Sequence, residues 1–423
     1  IRDIFWSRGL GDVYKRQVPM TSLERSLKGS QNMTKYNQVA AATSAVTNFR
    51  ETWESCSGLT TFPLIDTSSG TSFLETWNQC SGLTEFPLID TSSGTNFGGA
   101  WNGCSGITTF PTIDTSSGTA FNVTWLNCSG LTAFPQLDTS SGTNFNGAWR
   151  GCTGLTTFPV LDTSSGTSFD QTWSGCSGIT TFPTIDTSSG TNFGSAWSNC
   201  SGLTTFPVLD VSNGTQFDYA WRGCSGLTTF PVLDTSSGTN FSNAWNACAG
   251  LTTFPLIDTS SGTNFNSAWR RLDSITTFPA LNVSNGTDFG AAWNECFNLV
   301  SFPSLDFSSA TNDFFRTWHR CLDLTTYPPN QFDTTGTLPT NAFDQAWNEC
   351  RLTAQSFENI LTSMDTNGQQ NITLGMSGSN QANASTWSTD AIIAYRNLIN
   401  KNWTIAQNGT PSMSDLEYTI SNS

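Results

Sequence analysis

Large apolar residues recur along this chain at an interval of 24 positions. The pair Phe-x-x-x-Trp occurs thirteen times, from Phe49/Trp53 to Phe343/Trp347; the last two steps stretch to 25 and 29 residues. One clean unit runs from Phe145 to Ser168. Within it Phe145, Ala148, Trp149 and Cys152 stand at i, i+3, i+4 and i+7, which predicts one face of a two-turn helix. Thr143 or Asn144 is the expected N-cap, and Gly154 the left-handed residue that ends it. Leu155, Phe158 and Leu161 follow, predicting a short strand over 155–158 that Pro159 bends or ends, because proline cannot donate to a ladder. The Thr-Ser-Ser-Gly-Thr stretch reads as a return turn.

Differences between copies separate inside from outside. The position of Leu161 holds only Leu or Ile (Ile65, Ile113, Leu209, Ile257), so it is packed. The position before it holds Leu64, Thr112, Gln136, Val160 and Ser304, an outward pattern, and Thr157 is matched by Glu85 and Ala133. Two turns of helix are too short to persist alone in water, and ordering 24 residues costs more than five large apolar side chains supply. Neighbouring coils must make up the difference. The expected fold is therefore an α/β solenoid, with short parallel strands ~4.8 Å apart stacked with short helices or helical turns.

The ends depart from the pattern. Residues 1–17 resemble an adapter-derived, non-native tail, 18–46 read as an N-terminal cap, 47–350 hold the repeats, and 351–423 read as a C-terminal capping region. In that last region a helix is expected near Ser356–Ser363, a strand near Ile372–Leu374, a longer helix at Ser388–Lys401 and a final strand at Trp403–Ile405.

The pattern Phe-x-x-x-Trp-x-x-Cys-x-x-Leu-x-x-Phe-Pro-x-Leu-Asp resembles the BspA-like leucine-rich repeats of bacterial surface proteins. Ala148-Trp149-x-x-Cys152-x-x-Leu155 matches that family's Ala-Phe-x-x-Cys-x-x-Leu, with Trp in place of Phe. The resemblance covers residues 47–350, and the region around 351–410 looks like the tail of the same proteins. It implies a leucine-rich-repeat-like fold, cell-surface or secreted location and adhesion, with related repeats in phage and large-virus proteins, and it implies no catalytic activity. The uniformity of the copies departs from the family pattern.

Charge narrows the partners. The formal net charge is −15, and seven of the 17 basic residues lie within the first 35 positions. So acidic a surface repels phosphate backbones, which argues against nucleic acid. No run of 18 apolar residues occurs, so no membrane span is expected.

All twelve cysteines take one repeat position, from Cys56 to Cys350, and Leu272 stands where a thirteenth would be. Buried small hydrophobes are the plainer reading; disulfides between adjacent rungs are the rival, although parallel side chains aim poorly for that bond. Without Cys-x-x-Cys and with one histidine, metal binding has little support. Asp66 to Asp258 form a second ladder with Asp306, interrupted by Asn282. Each carboxylate there suits a turn, with calcium bridging between rungs as the alternative cofactor reading. His319 has no predictable triad partners, and repeated identical Asp turns offer no differently tuned pair, so the chain is read as non-enzymatic. The Trp file reads as core, and paired threonines such as Thr60/Thr61 and Thr204/Thr205 permit an ice-binding face. Sequons such as Asn122-Val-Thr and Asn213-Gly-Thr follow from composition.

Unusual outward aromatics and arginines gather in the C-terminal half: Tyr219, Arg222, Arg270, Arg271, Phe315, Arg316 and Arg320. They are the candidate ligand-facing residues, and the partner classes they fit are a cell-surface glycan or protein. Self-assembly as a spacer or fibre component is the other reading.

Overall fold

The computed structural model describes residues 20–36, 43–376 and 387–407. The stretch 1–17 and parts of both proposed caps lie outside them. Two compact units divide the described chain. The first reaches Ser168 and includes Cys176–Gly178; the second comprises Phe169–Gly175 and the residues from Ile179 onward. Each is a stack of coils, most of them 24 residues long.

Parallel bridges one residue long join successive coils. In the first unit they run Ser22–Asn48–Ser72–Asn96–Ala120–Asn144–Ser168, and in the second Asn192–Gln216–Asn240–Asn264–Asp288. A further set falls in the segment expected to be a strand, at Thr181–Thr205 and Thr277–Ser301–Thr326. The strand expectation thus holds, shortened to single rungs. The set just before each Phe falls where the sequence pattern predicts only a cap or turn.

The expected short helix is not α-helical. The coil of Phe73 shows why. Thr76 N–H donates to Phe73 O (3.2 Å) and Cys80 N–H to Trp77 O (3.1 Å), closing two tight turns. Phe73, Glu75, Trp77 and Gln79 donate instead along the stack, to Asn96, Gly98, Ala100 and Asn102 O at 2.6–2.8 Å. Alternate N–H groups therefore serve the coil and its neighbour. The alternation requires a left-handed residue in each turn, here Glu75 (φ 54) and Gln79 (φ 61). A ribbon of two such turns has a period of four, so it places Phe and Trp inward with the same i, i+4 spacing as a helix.

Asn144 does cap its segment, its Oδ1 accepting from Asn146 N–H at 3.0 Å. Gly154 does not adopt a left-handed conformation; it is required for close approach. A Cβ there would sit 2.5 Å from Ser129 O and 2.7 Å from Leu131 O of the preceding coil.

Aromatic files fill the interior. Trp53, Trp77, Trp101, Trp125 and Trp149 stack with centroids 5.2–5.9 Å apart and planes within 10°. In the second unit Trp173 to Trp347 repeat this at 4.9–6.0 Å. A Phe file stands edge-on against them, as where Phe86 meets Trp77 at 79° and Trp101 at 86°. The Trp, Cys and Leu/Ile columns are buried, as the variation between copies indicated.

Residues 21–36 carry the same ladder without the aromatic signature. Leu23 and Leu27 stand in the Phe and Trp places, donating to Asn48 O (2.9 Å) and Thr52 O (3.0 Å), and Tyr36 lies over Phe62. At the other end true helices appear. Helix α1 spans Ala354–Asn367, strand β1 Thr373–Met376, helix α2 Thr389–Asn400 and strand β2 Thr404–Gln407. Thr353 caps α1 and Ser388 caps α2 with side-chain oxygens, and Gly368 (φ 81) closes α1. Strand β1 continues the coil ladder through a bridge from Phe343 to Leu374 and pairs in parallel with β2. These elements lie within a few residues of their expected bounds. No described helix is long and apolar enough to cross a membrane.

Candidate functional site

The two left-handed positions of each coil turn their side chains outward, so the turn ribbons form one continuous surface within each unit. Most of the candidate residues lie on it. Arg271, Glu295, Arg320 and Glu349 occupy the same left-handed position of successive coils, an alternation of charge along the stack. Glu295 receives Arg270 at 2.9 Å, Arg320 at 3.5 Å and Arg271 at 3.9 Å, and Arg320 continues to Glu349 at 3.4 Å. Arg270 also donates to Asn294 Oδ1 at 3.3 Å. Three of the candidate arginines are thus brought together, but around a carboxylate of their own chain. The alternating Glu was the sequence signal for this.

The remaining candidates sit apart as pairs. Arg222 lies over the Tyr219 ring at 5.7 Å, and Arg316 over Phe315 at 5.0 Å. Arg320 additionally covers Phe297 at 5.5 Å. His319 lies close to Asn294 (3.4 Å) and Glu349 (4.0 Å). Its pKa is lowered, first by burial and then by the Arg316 charge.

A cluster missed from the sequence lies on the same kind of surface in the first unit. Glu51 accepts from Arg25 at 2.8 Å, from Arg50 at 3.0 Å and from Lys28, beside Glu54 and Glu75. Hydrogen bonds from Arg25 and Lys28 hold its carboxyl far below the usual range. With three cations on it, the carboxylate cluster reads as an ion-pair network.

The cysteines are free thiols in this structure and all buried. Each has a structural partner of one kind: Cys80 Sγ donates to Trp53 O at 3.0 Å, Cys104 to Trp77 O and Cys224 to Trp197 O, both at 3.1 Å. Burial pushes the Cys248 thiol up to about 12 and Cys104, Cys128 and Cys152 well above the ordinary value. A thiol this far from ionising is neither nucleophile nor metal ligand.

The Asp ladder forms turns. Asp234 Oδ1 accepts from Ser236 N–H (3.1 Å) and Ser236 Oγ–H (2.7 Å), bonds that lower its pKa. Asn282 makes the same pair of bonds to Ser284 at 3.2 and 2.8 Å. The outward threonines spend hydroxyls on the preceding coil, as Thr204 Oγ1 does on Thr180 O at 3.3 Å.

Beside the Asp turns runs the column predicted to face outward. Leu64, Leu88, Val160, Val208, Val232 and Leu256 on it are 56–67% exposed. In the second unit this column and the Asp turns line an open groove of about 1130 Å³ between Thr184 and Asp258.

No protein-family model and no curated protein sequence matches this chain. Solved structures resemble it weakly. A leucine-rich repeat protein from Bacteroides ovatus ATCC 8483 is 13% identical with a TM-score of 0.42, covering 75% of this chain and 86% of that one. A leucine rich cell surface protein from Faecalibacterium prausnitzii A2-165 is 16% identical with a TM-score of 0.32, covering 70% and 80%. An internalin from Listeria monocytogenes is 9% identical with a TM-score of 0.23, covering 80% and 83%.

Proposed function

We propose that this chain is a non-enzymatic binding scaffold of the cell or particle surface, adhering to a repetitive ligand such as a polysaccharide or envelope polymer. The observation that supports it most is the constant outward register: the same side-chain positions recur on every coil of a unit, so a polymer with its own repeat meets equivalent contacts along it. The buried thiols, the single partly buried histidine and the turn-bound carboxylates supply no set of differently tuned acid and base groups. On this reading Tyr219/Arg222 and Phe315/Arg316 remain ligand-facing, Arg316 also donating to Gln345 of the next coil, whereas Arg270, Arg271 and Arg320 hold coils together. The alternative, a spacer in a surface layer or fibre, is favoured by the near-identity of the repeats.

A glycan and microbial-envelope array probed with the full chain separates the two. Selective binding, reduced about tenfold in the Arg222→Ala/Arg316→Ala double variant, supports the scaffold reading. A folded, monodisperse chain that binds nothing on the array overturns it in favour of the spacer.

A further inference from the structure

The position between Pro and the buried Leu/Ile is one that packing does not control. Thr112, Gln136, Thr184 and Ser304 occupy it in other coils, all exposed. Yet three consecutive coils of the second unit place Val208, Val232 and Leu256 there, 64–66% exposed. Burial of an aliphatic side chain is favourable, and this column forgoes most of that gain on three coils in succession. Two residues further along each coil stand Asp210, Asp234 and Asp258, in the same groove. Their turns engage Oδ1 alone. The ion pairs of this unit lie elsewhere, on the ribbon surface and in the C-terminal elements.

The groove thus offers a row of aliphatic side chains beside a row of carboxylates, each with the period of the coils. Four coils, from Thr184 to Asp258, extend about 14 Å at ~4.8 Å per rung, the reach of about four residues of extended chain at ~3.3 Å each. Nucleic acid and anionic glycans are repelled. A second copy, itself carrying a formal charge of −15, is repelled as well. The lining contains no aromatic ring on which a sugar could stack.

We propose that this groove docks an extended, cationic polypeptide segment in which Lys or Arg alternates with aliphatic residues, about two of each within its length, the aliphatic side chains against the row Val208, Val232 and Leu256 and the cations against the row Asp210, Asp234 and Asp258. The assignment rests on the scaffold reading above and adds to it a polypeptide partner, held at the groove and not at the Tyr219/Arg222 and Phe315/Arg316 pairs. Charge complementarity sets the approach and its salt dependence, and the aliphatic row provides the contact that salt does not screen.

The test is fluorescence anisotropy with three labelled peptides of about ten residues, alternating Lys-Val, Lys-Ser and Glu-Val, titrated with the full chain. The Lys-Val peptide is expected to bind, with Lys-Ser about tenfold weaker or more and Glu-Val not binding. The triple variant Asp210→Asn/Asp234→Asn/Asp258→Asn removes charge while preserving the turns, as Asn282 already does, and is expected to lose about tenfold or more. Val208→Ser/Val232→Ser/Leu256→Ser changes only exposed side chains and is expected to reduce Lys-Val binding to the level of Lys-Ser. Equal binding of Lys-Val and Lys-Ser, unchanged binding by either folded variant, or no Lys-Val binding overturns the proposal. A chain that binds the envelope array but not Lys-Val loses this inference alone; a chain that binds neither loses both.

Discussion

Twelve coils contribute one cysteine each, and the thiol works as a hydrogen-bond donor in the core, reaching back to a carbonyl of the coil before, that of tryptophan for Cys80 and Cys248 and that of Leu27 for Cys56. Leucine at position 272 fills the space without that bond, leaving the packing role as the one both residues share. Because burial raises the thiol pKa in the folded chain, the stability this contributes is fully present below the unfolded value near 9 and is lost as pH rises toward the folded value, about 12 for Cys248;. The denaturation midpoint should therefore fall steeply above pH ~9, and iodoacetamide should label the native protein negligibly at pH 8 while labelling the denatured protein nearly twelvefold. Mass spectrometry of native and denatured samples checks both the burial and the reduced state; extensive native labelling would refute the ladder described here.

At the scale of the element, the turn ribbon explains what was legible in the sequence and what was not. Leu161 and Thr157 disclosed inside and outside through variation between copies, and α1, β1, α2 and β2 disclosed themselves because their periods and caps are ordinary. The ribbon was misread because a four-residue turn period and a helix period both place Phe145 and Trp149 on one face. Glycines at 99, 103, 147, 151, 175 and 223, all with positive φ, were the missed signal: they recur two and six residues after Phe, where a helix has no use for them. Residues 21–36 were missed as a coil because leucines replace the aromatic markers.

The same geometry makes predictions about substitutions. Ala247 is held at φ 61, a conformation that costs an L-residue roughly 1–2 kcal/mol. Ala247→Gly should stabilise the protein by about 0.5–1 kcal/mol after the entropy cost of glycine, and Gly223→Ala should destabilise it by a similar amount, both read from denaturant midpoints. Glu295 gathers Arg270, Arg271 and Arg320. Its replacement by Gln should cost about 1 kcal/mol at low salt and less at high salt, since these pairs are partly exposed. A loss that salt leaves unchanged would assign Glu295 a packing role instead.

At the scale of the whole molecule, no coil has a core of its own. Half of the ribbon N–H groups, the thiol and the faces of Phe and Trp find their partners on a neighbouring coil, so stability is a property of the stack and the outward columns inherit its register. That dependence is what allows a surface of equivalent sites, whether for an envelope polymer or for the cationic segment proposed for the groove.

The most direct test of this account is far-UV circular dichroism and thermal melting of a two-coil fragment, residues 73–120, beside the full chain. The full chain should melt cooperatively and the fragment should be unfolded and featureless. A fragment that melts cooperatively would contradict it, because its coils would then be folding on contacts of their own.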